Sequence, residues 1–228
     1  SGSLYKAGMG IPLNLGILPL FAIGSFLGSA HLDQWLLLGQ LDPVNLTDEF
    51  GALNTVLLTW VILGFTLLGI WFWSNKPAVL VDKRWIYGGI LLAILATLNL
   101  IVAGQPWGVV YGFGLWAAKI AYGLGIFDPI ANSFWGQSGN LTILTQSVLL
   151  DITSITNIGI LSGALWIASN HQDSAKPLTR NQWLFGLFAG FVMGYSSRLA
   201  FGCNIGGMVS GISTGSLHGW IWVPMAFL

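Results

Sequence analysis

From Leu53 to Trp73, and again from Trp85 to Ala103, the chain runs without one charged side chain. Ile143 to Ser169 carries only Asp151, and Trp183 to Phe201 only Arg198. A membrane-crossing helix needs about 20 mostly apolar residues, so each of these four stretches qualifies. A fifth, Leu13 to Ala30, is interrupted by Pro19 and by Gly16, Gly24 and Gly28. In lipid every backbone polar group must be bonded within the protein, which leaves helices or closed barrels. Long unalternating apolar runs select helices. The expected fold is therefore an all-α polytopic membrane protein with about five transmembrane helices, read as a single membrane domain over residues 1–228.

Composition agrees. Charged residues make up 7% of the chain against about 25% in soluble domains, and the mean hydropathy is +0.75. A net charge of zero points to no nucleic-acid partner. One cysteine cannot form an internal disulfide, and no Cys/His spacing suggests a metal site or a cofactor. The chain begins without Met and ends on the apolar run Ile221–Leu228, so a segment of a longer protein is expected.

Lys and Arg gather in cytoplasmic loops of membrane proteins. Lys76, Lys83 and Arg84 follow one span, and Lys176 and Arg180 precede another. The loops His31 to Gly51 and Asp128 to Thr142 contain neither residue type and are expected outside. Between the two basic loops the chain must cross an even number of times. Trp85–Ala103 and Ile143–Ser169 supply two crossings, so Gly104 to Ile126 is expected to dip in and return. Its six glycines and Pro106 suit a re-entrant element.

A second such element is expected from Gly202 to Gly219. It is too rich in Gly and Ser for an ordinary membrane helix, and irregular backbone at that depth is tolerated only where protein or a polar cavity covers it. Gly104-Gln-Pro-Trp-Gly108 and Gly202-Cys-Asn-Ile-Gly206 share a G-x-x-x-G frame after an apolar span. Gly2-Ser-Leu-Tyr-Lys6 echoes Gly215-Ser-Leu-His-Gly219. Such echoes fit a pseudo-symmetric half of a larger transporter fold built from duplicated parts.

Cys203 is the first candidate for substrate contact. The plainer account is a small buried apolar residue, but a thiol can also donate to and accept from a soft anion. Arg198 and Lys119 are the cations expected within the membrane, where cations are costly and functional by default. Snorkelling is the plainer account of Arg198, and an ion pair with Asp151 that of Lys119. Gln105, Trp107, Asn204, Ser210, Ser213, Thr214 and Ser216 offer donors to an anion, although such side chains routinely satisfy nearby backbone. Gly202 and Gly206 supply flexible backbone beside the thiol, and His218 is a weaker candidate. Amides at short-helix starts bind anions. Thr142, Thr145, Thr153 and Thr156 read as a polar packing seam.

Ser197-Arg-Leu-Ala-Phe-Gly-Cys-Asn-Ile-Gly-Gly207, with Ser210-Gly-Ile and Gly215-Ser-Leu-His-Gly-Trp220, resembles the C-terminal signature of the YeeE/YedE family. Gly104-Gln-Pro-Trp-Gly, with Leu115-Trp-Ala-Ala-Lys119, resembles the other second-half motif of that family, and Ser1–Gly10 resembles the segment after its first-half Gly-Gly-Cys. Met9 stands where the family pattern has an acidic residue. The resemblance implies a bacterial inner-membrane, multi-pass transporter in which cysteines along a narrow path pass thiosulfate inward. Cys203 matches the second-half cysteine. A TusA-type cytoplasmic sulfur carrier is implied as a partner, beside the lipid bilayer and the small sulfur anion itself. The expected activity is transport, not catalysis. The alternatives are a selenium-related transporter of the same family, a membrane sulfurtransferase with Cys203 as nucleophile, and a structural subunit of a larger complex.

Overall fold

The computed structural model describes residues 12–39, 42–73, 83–106, 108–169 and 179–226. Ser1–Gly10 with Met9, and Lys76, Trp107 and Lys176, lie outside the described residues. In chain order the helices are α1 (Pro12–Ala30), α2 (Leu32–Leu36), α3 (Leu46–Phe50), α4 (Ala52–Trp73), α5 (Lys83–Ala103), α6 (Val110–Gly123), α7 (Ser138–Thr145), α8 (Ile152–Ser169), α9 (Arg180–Leu199) and α10 (Leu217–Ala226). A 3-10 turn, Val148–Leu150, separates α7 from α8. A π-helical stretch, Asn204–Ser210, and the single turn Gly211–Ser213 separate α9 from α10. Among the described residues there is no strand, only an isolated bridge between Asn45 and Ser216.

The protein is an all-helical membrane protein. Of the five expected spans, Ala52–Phe72, Ile86–Ala103 and the stretch beginning at Arg180 are long and apolar enough to cross a bilayer. Leu15–Ala30 and Ile152–Ile167 are shorter apolar helices.

One expected span is corrected. Ile143 to Ser169 is not a continuous helix, because α7 ends at Thr145 and α8 starts only at Ile152. The intervening residues cap successive short elements. Ser147 Oγ accepts from Leu149 N at 3.3 Å. An Asp151 carboxylate oxygen accepts from Thr153 Oγ1 at 2.6 Å and from Ser154 N at 2.7 Å. Side chains of this kind offer the backbone an alternative to helical bonding and so favour a new start.

The described residues form two compact units, one within Ser1–Leu41 and Gly108–Gly206, the other within Asp42–Trp107 and Gly207–Leu228. In the first, α1 lies along α9 at backbone distance. A Cβ at Gly24 would land on the Phe191 carbonyl, and one at Gly194 on the Phe21 carbonyl. A Cβ at Gly28 would stand 2.6 Å from the Tyr195 carbonyl, and one at Gly190 2.7 Å from Ile17 Cγ2. Gly24 and Gly28 lie four residues apart on α1, as Gly190 and Gly194 do on α9, so each pair lines one helix face. Helices in lipid lack a hydrophobic drive to associate and rely on such close packing. The glycines that interrupt α1 as a sequence pattern are its contact surface.

α6 is held against α1 and α8 in the same way. A Cβ at Gly114 would stand 2.7 Å from Ser25 Oγ, and one at Gly112 2.7 Å from Asn157 Nδ2. Phe26, Leu115, Ala118, Trp135 and Leu144 form the apolar core beside it. The loop from α6 to α7 is pinned by Asn132, which donates to the Ala30 carbonyl at 2.9 Å and accepts from Phe134 N and Trp135 N.

In the second unit the turn before α10 is fastened to the chain entering α4. Leu46 N donates to the Gly215 carbonyl at 2.8 Å, and Leu217 N to the Val44 carbonyl at 3.1 Å. Gly215 has φ +78°, which a side chain would strain. The large apolar side chains of α4 and α5 are mostly exposed, with Phe72 and Val102 each at 85%. Such a surface suits hydrocarbon and not water.

Two substitutions separate packed from open glycines. Gly194→Ala drives a methyl onto a backbone carbonyl of α1 and is expected to destabilise the protein by about 1–3 kcal/mol or more. Gly64→Ala on α4, where a Cβ meets nothing within 4 Å, is expected to be neutral or to stabilise by about 0.5–1 kcal/mol. Equilibrium unfolding of both variants in mixed micelles checks the contrast, and equal effects would remove the α1–α9 contact from its place in the fold.

Candidate functional site

α9 ends at Leu199, and the chain turns sharply before the thiol. Ala200 N donates to the Ser196 carbonyl at 2.9 Å, Phe201 N to the Arg198 carbonyl at 3.2 Å and Gly202 N to the Ser197 carbonyl at 2.8 Å. Phe201 takes φ +51° and Gly202 φ +145°. Positive φ is uncommon for a bulky residue such as Phe and marks a strained turn. Cys203 follows, half-buried and unbridged, and the π-helical stretch starts at the next residue. π-helical backbone occurs mostly as short pieces, frequently at functional sites. Gly202 is buried, Asn204 exposed and Gly206 half-buried.

Arg198 lies in the last turn of α9, where a cation suits the helix dipole. Its Nε donates to Ser29 Oγ at 2.7 Å, and Ser29 donates onward to the Ser25 carbonyl at 3.0 Å. The guanidinium carbon lies 5.7 Å from the Tyr111 ring centroid and 5.3 Å from that of Phe134. Both are within cation–π range. Tyr111 donates its hydroxyl to Asn140 Oδ1 at 3.0 Å, and Asn140 Nδ2 donates to the Phe134 carbonyl at 2.8 Å. The rings that frame Arg198 are thus fixed by one asparagine. The described residues give the two terminal guanidinium nitrogens no acceptor, so the donor fork that suits an oxyanion is uncommitted.

One turn earlier on α9, Tyr195 accepts from Trp35 Nε1 at 2.9 Å and lies 3.3 Å from His31 Nδ1. Ser29, Tyr111, Phe134, Asn140 and Tyr195 were not singled out from the sequence. Their only signal there is polar or aromatic character, and tertiary packing alone gathers them.

Lys119 is placed differently from its expected partner. Its ammonium donates to the carbonyls of Ile143 at 2.6 Å, Leu144 at 2.8 Å and Gln146 at 2.5 Å. These are orphan carbonyls at the end of α7, a favourable place for a cation. The ion pair with Asp151 is not formed, because Asp151 caps α8 and Lys119 has all three donors in use.

Of the other expected residues, Gln105, Ser216 and His218 belong to the second unit. The Gln105 carbonyl accepts from Asn99 Nδ2 at 3.4 Å. Ser216 N donates to the Gly211 carbonyl at 2.8 Å, and His218 is half-buried. Ser213 and Thr214 both donate to the Ser210 carbonyl at 2.9 Å. Thr142 and Thr156 bond to the carbonyls of Ser138 and Ile152, four residues back. These hydroxyls serve local backbone.

The sequence profile of the sulphur transport family matches residues 1–228. The probable transporter YedE of Escherichia coli K12 is 29% identical over 155 residues, covering 66% of this chain and 34% of that protein. The probable transporter YedE of Salmonella typhimurium LT2 is 30% identical over 155 residues with the same coverage. The chain therefore spans about a third of the length of the curated relatives it matches. No solved structure matches it. The long motif around Cys203 and the match over the whole chain lead to one assignment: the chain belongs to the sulphur transport family, the YeeE/YedE family.

Proposed function

We propose that the chain forms part of a bacterial inner-membrane transporter for a small sulfur-containing anion, thiosulfate first, with Cys203 on the path. The observation that carries this reading is the junction at the end of α9. There a strained turn and a π-helical stretch present a half-buried thiol, five residues after a guanidinium whose terminal donors are uncommitted. A sulfur oxyanion has two chemically different ends. Its oxygens suit the charge-assisted donors of Arg198, and its terminal sulfur suits a thiol.

Gly202, Asn204 and Gly206 border the thiol. Gln105, Trp107, Ser216 and His218 are proposed for substrate contact on the family resemblance alone, Trp107 being outside the described residues. Lys119 acts indirectly, by holding the break between α7 and α8 open to the chain around it.

The re-entrant character of the Gly104–Ile126 and Gly202–Gly219 elements belongs to this proposal. Its support is length: α6 has 14 residues, about 21 Å at 1.5 Å per residue, against a hydrocarbon core of about 30 Å. A TusA-type sulfur carrier on the cytoplasmic side completes the proposal as recipient of the imported sulfur.

Uptake of labelled thiosulfate by cells producing the full-length protein tests the path. Cys203→Ser is expected to lower uptake at least about tenfold, a cost equal to one good hydrogen bond at the transfer step. Uptake unchanged in that variant returns Cys203 to simple packing. No uptake by the well-expressed parent removes thiosulfate and turns the test to selenium compounds.

Arg198→Gln is expected to raise the uptake KM roughly 10- to 100-fold, as loss of hydrogen bonds from a charged donor requires. Arg198→Lys is expected to recover only part of it, because an ammonium lacks the planar fork and stacks poorly between two rings. Full recovery by lysine would show that charge alone matters there.

A further inference from the structure

Asn157, on α8, is fully buried. Its Nδ2 donates to the Val109 carbonyl at 2.9 Å, while its Oδ1 is buried with no partner. Buried polar atoms are nearly always paired, and an orphan calls for an explanation. The Nδ2 bond turns this amide onto the residue that caps α6. The third residue of α6, Gly112, lies so close that a Cβ there would stand 2.7 Å from Nδ2.

The start of α6 has the complementary lack. Val109, its N-cap, makes no side-chain bond to the first turn, and Val109, Val110 and Gly112 are buried. The N–H groups of Val110, Tyr111 and Gly112 find no acceptor among the described residues. A helix that begins buried and uncapped suits an acceptor, and the dipole makes that acceptor an anion.

A bare anion would suit the amides and be repelled by the carbonyl oxygen of Asn157. A ligand that suits both carries negative charge and one proton. We propose that the first turn of α6 and Asn157 together bind a small monoprotonated anion, its charge on the backbone amides and its proton donated to Asn157 Oδ1. The site thereby distinguishes a hydrogen-bearing monoanion from an unprotonated dianion of similar size. This deepens the transport reading by naming a protonation state at one helix end, and it rests on that reading only for the presence of small anions.

Equilibrium binding to the purified full-length protein in lipid nanodiscs tests it, with sulfite as probe and thiosulfate as the anion that stays unprotonated. Sulfite affinity is expected to fall roughly tenfold per pH unit above the pKa of hydrogen sulfite, as mass action on the protonated form requires. The titratable or charged groups on the elements packed here are Tyr111, Lys119 and Tyr122 of α6, Asp151 before α8, and Arg180, Tyr195 and Arg198 of α9. Their own titration would move thiosulfate binding too, which is expected to stay flat. Asn157→Leu is expected to cost about tenfold in affinity for hydrogen sulfite, the worth of one hydrogen bond, with thiosulfate binding unchanged. The pH series on the unaltered protein decides the matter even where that variant does not fold. A sulfite affinity that ignores the probe's protonation, or that survives Asn157→Leu in folded protein, overturns the proposal and leaves water at Oδ1. Binding is read without transport, so thiosulfate uptake together with a sulfite affinity that ignores pH sinks this inference alone, and a pH-dependent sulfite affinity without thiosulfate uptake sinks only the transport reading.

Discussion

The contact on which the first unit depends is the backbone-to-backbone seam between α1 and α9. A helix pair in lipid cannot use expulsion of water to associate, so the gain must come from many short contacts. Gly24 and Gly28 on one helix, with Gly190 and Gly194 on the other, bring the two axes close enough for those contacts. That closeness has a chemical consequence at the Ala30 end of α1. It sets Ser29 within reach of Arg198 Nε and so fixes the plane of the guanidinium between Tyr111 and Phe134. With larger residues at the seam, Arg198 would lose its only hydrogen-bonding anchor among the described residues and swing free.

A second theme is how the chain satisfies its backbone where helices break. Lys119 takes three carbonyls left over where α7 stops. Asp151 accepts from the Ser154 amide and the Thr153 hydroxyl in the first turn of α8, and Asn132 ties the loop between α6 and α7 to the end of α1. In each case a polar side chain stands in for the missing helical partner, as backbone groups away from water require. The start of α6 is the exception. Its amides and Asn157 Oδ1 find no partner among the described residues, and local rules that fail in one place are a mark of function.

Much of the fold was legible in the residue pattern. The uncharged runs Leu53–Trp73 and Trp85–Ala103 became α4 and α5 almost residue for residue, because an apolar run of that length has only one way to satisfy its backbone in lipid. The stop at the end of α9 was readable from Gly202 and the Gly/Ser-rich run behind it. Ile143–Ser169 misled because apolar content hides capping. Ser147 and Asp151 look like minor interruptions in a hydrophobic stretch, yet each can start a helix and together they break one. The seam of α1 was not legible in the sequence for a related reason. Gly16, Gly24 and Gly28 lower helix propensity, and propensity says nothing about a neighbouring helix that requires their smallness.

The sequence by itself determined that this chain is a helical membrane protein of the sulphur transport family and that its one thiol sits in a Gly-rich break. Hydropathy, run length and a long local motif are properties of consecutive residues and need no partner to be read. Only the tertiary structure decided what the charged and polar side chains do. It gave Lys119 to the carbonyls of α7 and not to Asp151, left the fork of Arg198 uncommitted between two rings, and buried Asn157 with one atom unmatched. The physical reason is that hydrogen bonding is settled by distance in space. Ser29 and Arg198 are 169 residues apart in the chain and 2.7 Å apart in the fold, and no local pattern encodes that meeting.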